Sequence, residues 1–127
     1  MSAKTKGWVA VGFNPVDKLQ GGNYIIGFVE GDVVQVADHF GSRKSRHEPD
    51  EKLGGTSDVT LVGGSELEGI TTIEFTIPID SGDRYDSAMV ADGDTVVLLA
   101  YGKKDSFKAI FKGEAVGTVN LSTGFVQ

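Results

Sequence analysis

Two apolar runs set the frame of the chain: Gly7-Trp8-Val9-Ala10-Val11-Gly12-Phe13 and Tyr24-Ile25-Ile26-Gly27-Phe28-Val29. Neither alternates cleanly between apolar and polar positions. In an extended strand Trp8, Ala10 and Gly12 point to one face, and Val9, Val11 and Phe13 to the other. A strand apolar on both faces belongs in the interior of a sheet, with material packed on each side. Between the runs, residues 14–23 contain Pro15 and the Gly21-Gly22 pair, which interrupt regular structure and predict a loop. A loop between two buried strands is a usual place for a binding site.

Further along, Gly31-Asp32 is a turn dipeptide that joins strands over 24–30 and 33–38 into a hairpin. Residues 39–56 turn polar and lose all periodicity, with Gly41, Pro49 and Gly54-Gly55 among them, and read as a long irregular loop. A short strand over 59–62 ends at Gly63-Gly64. Residues 71–79 alternate best, with Ile73, Phe75 and Ile77 inward and Thr72, Glu74 and Thr76 outward. Pro78 confines that strand to an edge or falls among its final residues. After a second polar loop at 80–94 come strands over 95–101 and 115–121, with one helical turn near 106–111. This succession predicts an all-β fold, an antiparallel β-sandwich of the immunoglobulin-like kind, as a single domain over 1–127, with an open barrel as the second choice. The expected core is Trp8, Val11, Phe13, Ile26, Phe28, Ile73, Phe75, Leu98 and Ile110.

Composition supports the strand reading and removes several function classes. Eighteen glycines in 127 residues suit many short strands joined by turns. A formal net charge of −6 makes nucleic acid and anionic membrane poor partners. No cysteine is present, which excludes disulfides and thiolate metal sites. No stretch of apolar residues is long enough for a membrane-spanning helix, and residues 1–6 carry no apolar signal core.

Candidate chemistry is sparse. Trp8, Tyr24, Tyr101 and Phe111 are flat rings that could line a platform for a sugar or porphyrin, although single aromatics in buried strands more often belong to the core. Asp38, His39, His47 and Asp50 are residue types that suit zinc, but their spacing matches no compact motif, so no metal site is expected from them. Asp80, Asp83, Asp86, Asp92 and Asp94 could bind calcium, but lack the EF-hand order and read as turn-forming aspartates of a solvated loop. No nucleophile elbow and no singled-out carboxylate pair suggest catalysis.

Several segments together resemble the DOMON family. They are GWVAVGFNP at 7–15, GNYIIG at 22–27, DHFG at 38–41, SRHEPD at 45–50, LGGT at 53–56, TIEFTIPIDSGD at 72–83 and LLAYG at 98–102. The resemblance implies a β-sandwich, mostly extracytoplasmic, that binds haem or sugars and often serves as a cytochrome module. In haem-binding members a methionine in the loop after the Gly-Phe strand and a histidine before the last strand ligate the iron. Those positions fall at Leu19 and near Phe111, neither of which offers a lone pair. No cofactor is assigned from the residues, and haem b is the one that the resemblance admits. The expected function is therefore a non-catalytic binding module for a small molecule or sugar, its pocket lined by Trp8, Phe13, Leu19, Tyr24, Tyr101 and Phe111. The alternatives are a structural or assembly domain that has lost its site, and a cytochrome-like electron-transfer domain using other ligands. Family members usually carry strands upstream of the Gly-Trp segment. A bare sheet edge beside residues 7–13 is therefore expected, with a homodimer formed across it. Otherwise residues 122–127, with Phe125 and Val126, fold back over that edge.

Overall fold

The computed structural model describes residues 1–108 and 111–124. It contains β1 (Ser2–Ala3), β2 (Val9–Phe13), β3 (Asn23–Glu30), β4 (Val33–Arg43), β5 (Arg46–Pro49), the one-turn helix α1 (Asp50–Leu53), β6 (Thr60–Leu67), β7 (Ile70–Thr76), β8 (Asp94–Tyr101) and β9 (Gly113–Asn120). A six-stranded sheet has the order β5-β4-β3-β2-β8-β9, and a three-stranded sheet the order β1-β7-β6. Every pairing is antiparallel. The two sheets pack face to face as the expected β-sandwich.

The period-2 geometry of the strands divides the large sheet into two faces. Val9, Val11, Ile25, Val29 and Val97 point toward the small sheet and pack with Ile73, Phe75 and Ile77. Trp8, Ala10, Tyr24, Ile26, Phe28 and Leu98 point the other way. Both faces of β2 and β3 are thus buried, which is why neither strand alternates in sequence. Thr5 links the layers at this end: its hydroxyl donates to the Gly102 carbonyl at 2.6 Å, and its own carbonyl accepts from the Thr71 hydroxyl at 2.9 Å. Of the expected core, Ile110 lies outside the described residues; the others belong to these clusters, with Phe13 and Phe75 only partly buried.

Four expectations are corrected. β2 is no edge: it pairs with β3 on one side and β8 on the other, so the bare edge from which a homodimer was expected does not exist there. The tail residues Phe125 and Val126 lie outside the described residues. The irregular loop predicted over 39–56 is mostly ordered, since β4 runs on to Arg43 and pairs with β5. Its polar residues carry no hydrophobic period, and the connection Lys44-Ser45 lacks the Asn or Gly that announces a two-residue hairpin turn. The short strand at 59–62 extends through Gly63-Gly64, which do not end β6 but accompany a register shift between Leu61 and Gly63. Finally, of the segment expected to make a helical turn, residues 107 and 108 form a non-helical turn, and 109–110 lie outside the described residues.

Candidate functional site

The face of the large sheet turned away from the small sheet has no second sheet over it. Leu19, from the loop after β2, and Phe107, from the segment after β8, pack against its apolar side chains. Register sets this surface: Gly12 lies between Tyr24 and Leu98, and Ala10 between Ile26 and Ala100. Small residues on the central strand give the large rings room. A Cβ at Gly12 would enter the Tyr24 ring, and one at Gly22 would lie 2.7 Å from the Tyr24 hydroxyl. That hydroxyl donates to the Leu19 carbonyl at 2.9 Å, and burial pushes its pKa up to about 12.

The loop carrying Leu19 is stitched to the end of β4. Gly21 N–H donates to the Gly41 carbonyl and Gly41 N–H to the Gly22 carbonyl, both at 2.9 Å, while Leu19 N–H donates to the Lys44 carbonyl at 3.2 Å. Position 41 must be glycine for this approach, because a Cβ there would collide with the Leu19 carbonyl.

Two histidines lie on the same face. His39 pairs with Tyr24 in register and so shares its side of the sheet. His47 reaches it from β5, with the two Nδ1 atoms 2.9 Å apart. The His39 ring lies 5.8 Å from that of Phe107, which in turn lies 4.8 Å from Phe28; His47 lies 6.3 Å from Tyr24. Burial lowers the pKa of both imidazoles, that of His39 to about 4 with help from the neighbouring ring. Both are therefore neutral at pH 7. One Nδ1 donates and the other accepts, so the pair leaves a lone pair on only one of its two Nε2 atoms. A second polar group on this face is unsatisfied: the buried Trp8 Nε1–H has no acceptor.

The six expected pocket residues do not share one site. Trp8, Leu19 and Tyr24 come together on the loop-covered face. Phe13 and Tyr101 lie on the opposite face, against the small sheet, because Tyr101 pairs with Val9 and Phe13 with Val97. Phe111 is half exposed, and the aromatic that reaches the face is Phe107, which spacing alone gave no reason to prefer. Tyr101 instead lines an open groove of about 520 Å³ with Met1, Val9, Leu99 and Glu114. Leu19, which packs on this face, and Phe111, half exposed, carry no atom that can ligate iron.

The four candidate metal ligands divide in the same manner. Asp38 and His39 are consecutive on β4 and so point to opposite faces. Asp38 pairs with Ile25, on the inner side, and there it meets aspartates from two loops. Carboxylate oxygens of Asp38, Asp58 and Asp86 all lie within 4.8 Å of one another. Asp50, the first residue of α1, is fully buried nearby. Burial raises its pKa to about 8, and the charge of Asp38 is the next cause; Asp38 itself is raised to about 7, first by burial. Asp86 is raised as well.

Hydrogen bonds from loop backbones hold this cluster. Asp58 N–H donates to Asp38 Oδ2 at 2.8 Å, and the Ser81 hydroxyl donates to Asp86 Oδ2. Asp83 clamps the two loops by accepting from Thr56 N–H at 2.6 Å and Tyr85 N–H at 2.9 Å. Gly55 is bare because a Cβ there would lie 2.5 Å from Asp83 Oδ2. Of the loop aspartates named from sequence, Asp83 and Asp86 belong here, whereas Asp80, Asp92 and Asp94 are outside the group. Asp58 was missed: in sequence it is one aspartate beside a Gly-Gly-Thr turn.

The DOMON domain family model matches residues 1–102. No curated protein and no solved structure matches the chain. The matched span runs from β1 to the end of β8 and takes in the aromatic face apart from Phe107, the histidine pair and all of the clustered aspartates. On that match the chain belongs to the DOMON domain family.

Proposed function

We propose that the protein is a non-catalytic ligand-binding module whose site is the loop-covered face of the large sheet. One observation carries this reading. The side chains of Trp8, Tyr24, Ile26, Phe28 and Leu98 form a continuous apolar face that is roofed by two loop side chains rather than by a sheet. A second sheet would close such a face permanently, whereas Leu19 and Phe107 can be displaced by a flat ligand. The polar groups on the face, the Trp8 indole N–H and the neutral His39–His47 pair, suit a planar or ring-shaped molecule with hydrogen-bond acceptors, haem or a sugar among them. In keeping with the family, the module works outside the cytoplasm.

A second reading is favoured by the same two side chains: with Leu19 and Phe107 as a permanent roof, the domain is structural and has lost its site. Titration distinguishes the two. Trp8 is the only tryptophan, so its fluorescence reports this face directly. Haem and a panel of mono- and oligosaccharides are titrated into the protein, with thermal shift in parallel. Saturable quenching with a rise in Tm for any ligand supports the binding module. Absence of both for every ligand supports the structural reading. A Soret band lost in His39→Ala would identify the histidine pair as the source of an unexpected haem ligand.

A further inference from the structure

The cluster formed by Asp38, Asp58 and Asp86 has three properties that solvated turn aspartates lack. First, its oxygens converge. Three carboxylates within 4.8 Å of one another can touch one ion at calcium's oxygen distances of about 2.3–2.6 Å, which place opposite ligands roughly 5 Å apart. Second, its buried oxygens are unsatisfied. Asp38 is 4 % exposed, and its Oδ1 has no partner; Asp86 Oδ1 is buried without one as well. Third, Asp50 is 0 % exposed, and neither of its oxygens has a partner. Asp50 lies outside the converging trio, so its unsatisfied oxygens are an independent observation at the same place.

Among the described residues, no cationic side chain pairs with the cluster. The ion pairs among the described residues join Lys44 to Asp17, and Arg46 and Lys52 to Glu48; none involves the four clustered aspartates. Four carboxylates gathered together, two of them buried, either hold protons or bind a cation. The hydrogen bonds already described use one oxygen each of Asp38 and Asp86, and the other oxygen of each is buried without a partner. That is how a ligand is fixed by an outer partner while its second oxygen is kept for an ion. All the donors are carboxylate oxygens, and the histidines lie across the sheet, so the set suits a hard cation rather than zinc.

We propose that Asp38, Asp58 and Asp86, with Asp50 beside them, form a calcium-binding site that joins the middle of β4, α1 and the loops at 54–58 and 80–87. Asp83 is a positioning residue: both its oxygens are engaged by Thr56 and Tyr85, and it holds the loops without facing the ion.

The test uses the full chain, stripped with EDTA and dialysed. Calcium chloride is titrated by calorimetry, with magnesium and zinc chlorides as separate arms, and Tm is followed in parallel. The expected result is one calcium per chain and a rise in Tm of several degrees at saturation. Asp86→Asn, in a loop where folding is least at risk, is expected to weaken calcium binding by about tenfold or more, since affinity follows ligand charge. Asp38→Asn is expected to do the same. Asp92→Asn, outside the cluster, is expected to change neither affinity nor the Tm rise. Circular dichroism confirms that each variant is folded. The proposal is overturned if the folded wild type binds no calcium saturably, which would mean that the carboxyls only share protons. Tighter binding of zinc than of calcium, or undiminished binding by Asp86→Asn, would also overturn it.

Discussion

Tyr24 is at the centre of the loop-covered face, and replacing it with phenylalanine separates two effects of its hydroxyl. At neutral pH the hydroxyl stabilises the fold by its bond to the Leu19 carbonyl at 2.9 Å. Phenylalanine leaves that carbonyl without its donor, at a cost of about 1 kcal/mol. At alkaline pH the same hydroxyl becomes a liability. Burial raises its pKa from 10.0 to about 12, so the folded state holds a proton that the unfolded chain releases. The sign follows: the contribution is fully present below pH 10 and is lost as pH rises toward 12. At about 1.4 kcal/mol per pH unit the full loss is roughly 2.7 kcal/mol. Tyr24→Phe has no such loss. The variant is therefore less stable than wild type at pH 8 and more stable at pH 11.5, with the curves crossing at about pH 10.7, where about 0.7 unit of linkage matches about 1 kcal/mol. Urea denaturation followed by Trp8 fluorescence at half-unit pH steps measures this, and the other titrating groups cancel in the difference. Parallel curves from pH 8 to 11.5 would refute the reasoning, because they would mean that the Tyr24 hydroxyl is in water.

Gly41→Ala sets a methyl against the Leu19 carbonyl; it is expected to cost more than about 2 kcal/mol and to increase proteolysis within residues 14–22. Ile73→Ala opens a cavity between the sheets where Val9 and Val29 meet it, with an expected loss of about 2–5 kcal/mol in urea denaturation. Asp50→Asn tests the buried carboxyl without any cation. With its pKa raised to about 8, the contribution of Asp50 is present below pH 3.8 and is lost as pH rises to about 8. In EDTA at pH 7.5 the variant is therefore expected to be more stable than wild type, by about 1–3 kcal/mol, and this advantage should vanish at pH 4.

What could be read from sequence divides along physical lines. The sandwich and most of its core were legible because burial imposes a period on apolar residues. Trp8 and Val9 announce a strand buried on both faces whatever surrounds it, and the alternation of Ile73 and Phe75 announces one buried on a single face. The β4–β5 hairpin was not legible, since its residues are polar and the turn at Lys44-Ser45 carries no glycine. Its pairing is dictated by β3, which is a tertiary matter. The pocket was half legible. Trp8, Leu19 and Tyr24 were named together and do lie on one face, but the register of β8 places Tyr101 opposite them. The register between strands distant in sequence does not show in the residues themselves. For the same reason Asp38, Asp58 and Asp86, spread over forty-nine positions of chain, could not be recognised as neighbours.

The dipeptide Asp38-His39 shows why two polar clusters so near in sequence lead to different chemistry. Each residue is almost fully buried on β4, one per face, and each must find a partner or lie unsatisfied. On the aromatic side the demand is met within the protein. Two neutral imidazoles each carry one donor and one acceptor, so His39 and His47 complete one bond between themselves without charge. On the inner side it cannot be met in that way. Carboxylates are acceptors only, and bringing Asp38, Asp50, Asp58 and Asp86 together adds acceptors and negative charge without adding a donor. Backbone N–H and hydroxyl donors satisfy one oxygen each of Asp38 and Asp86 and reach neither oxygen of Asp50. What remains is a demand for positive charge at a fixed point, which either protons or a divalent cation can meet. The histidines, already paired and averse to charge, create no such demand, so the cation inference belongs to the inner face of β4 and not to the outer one.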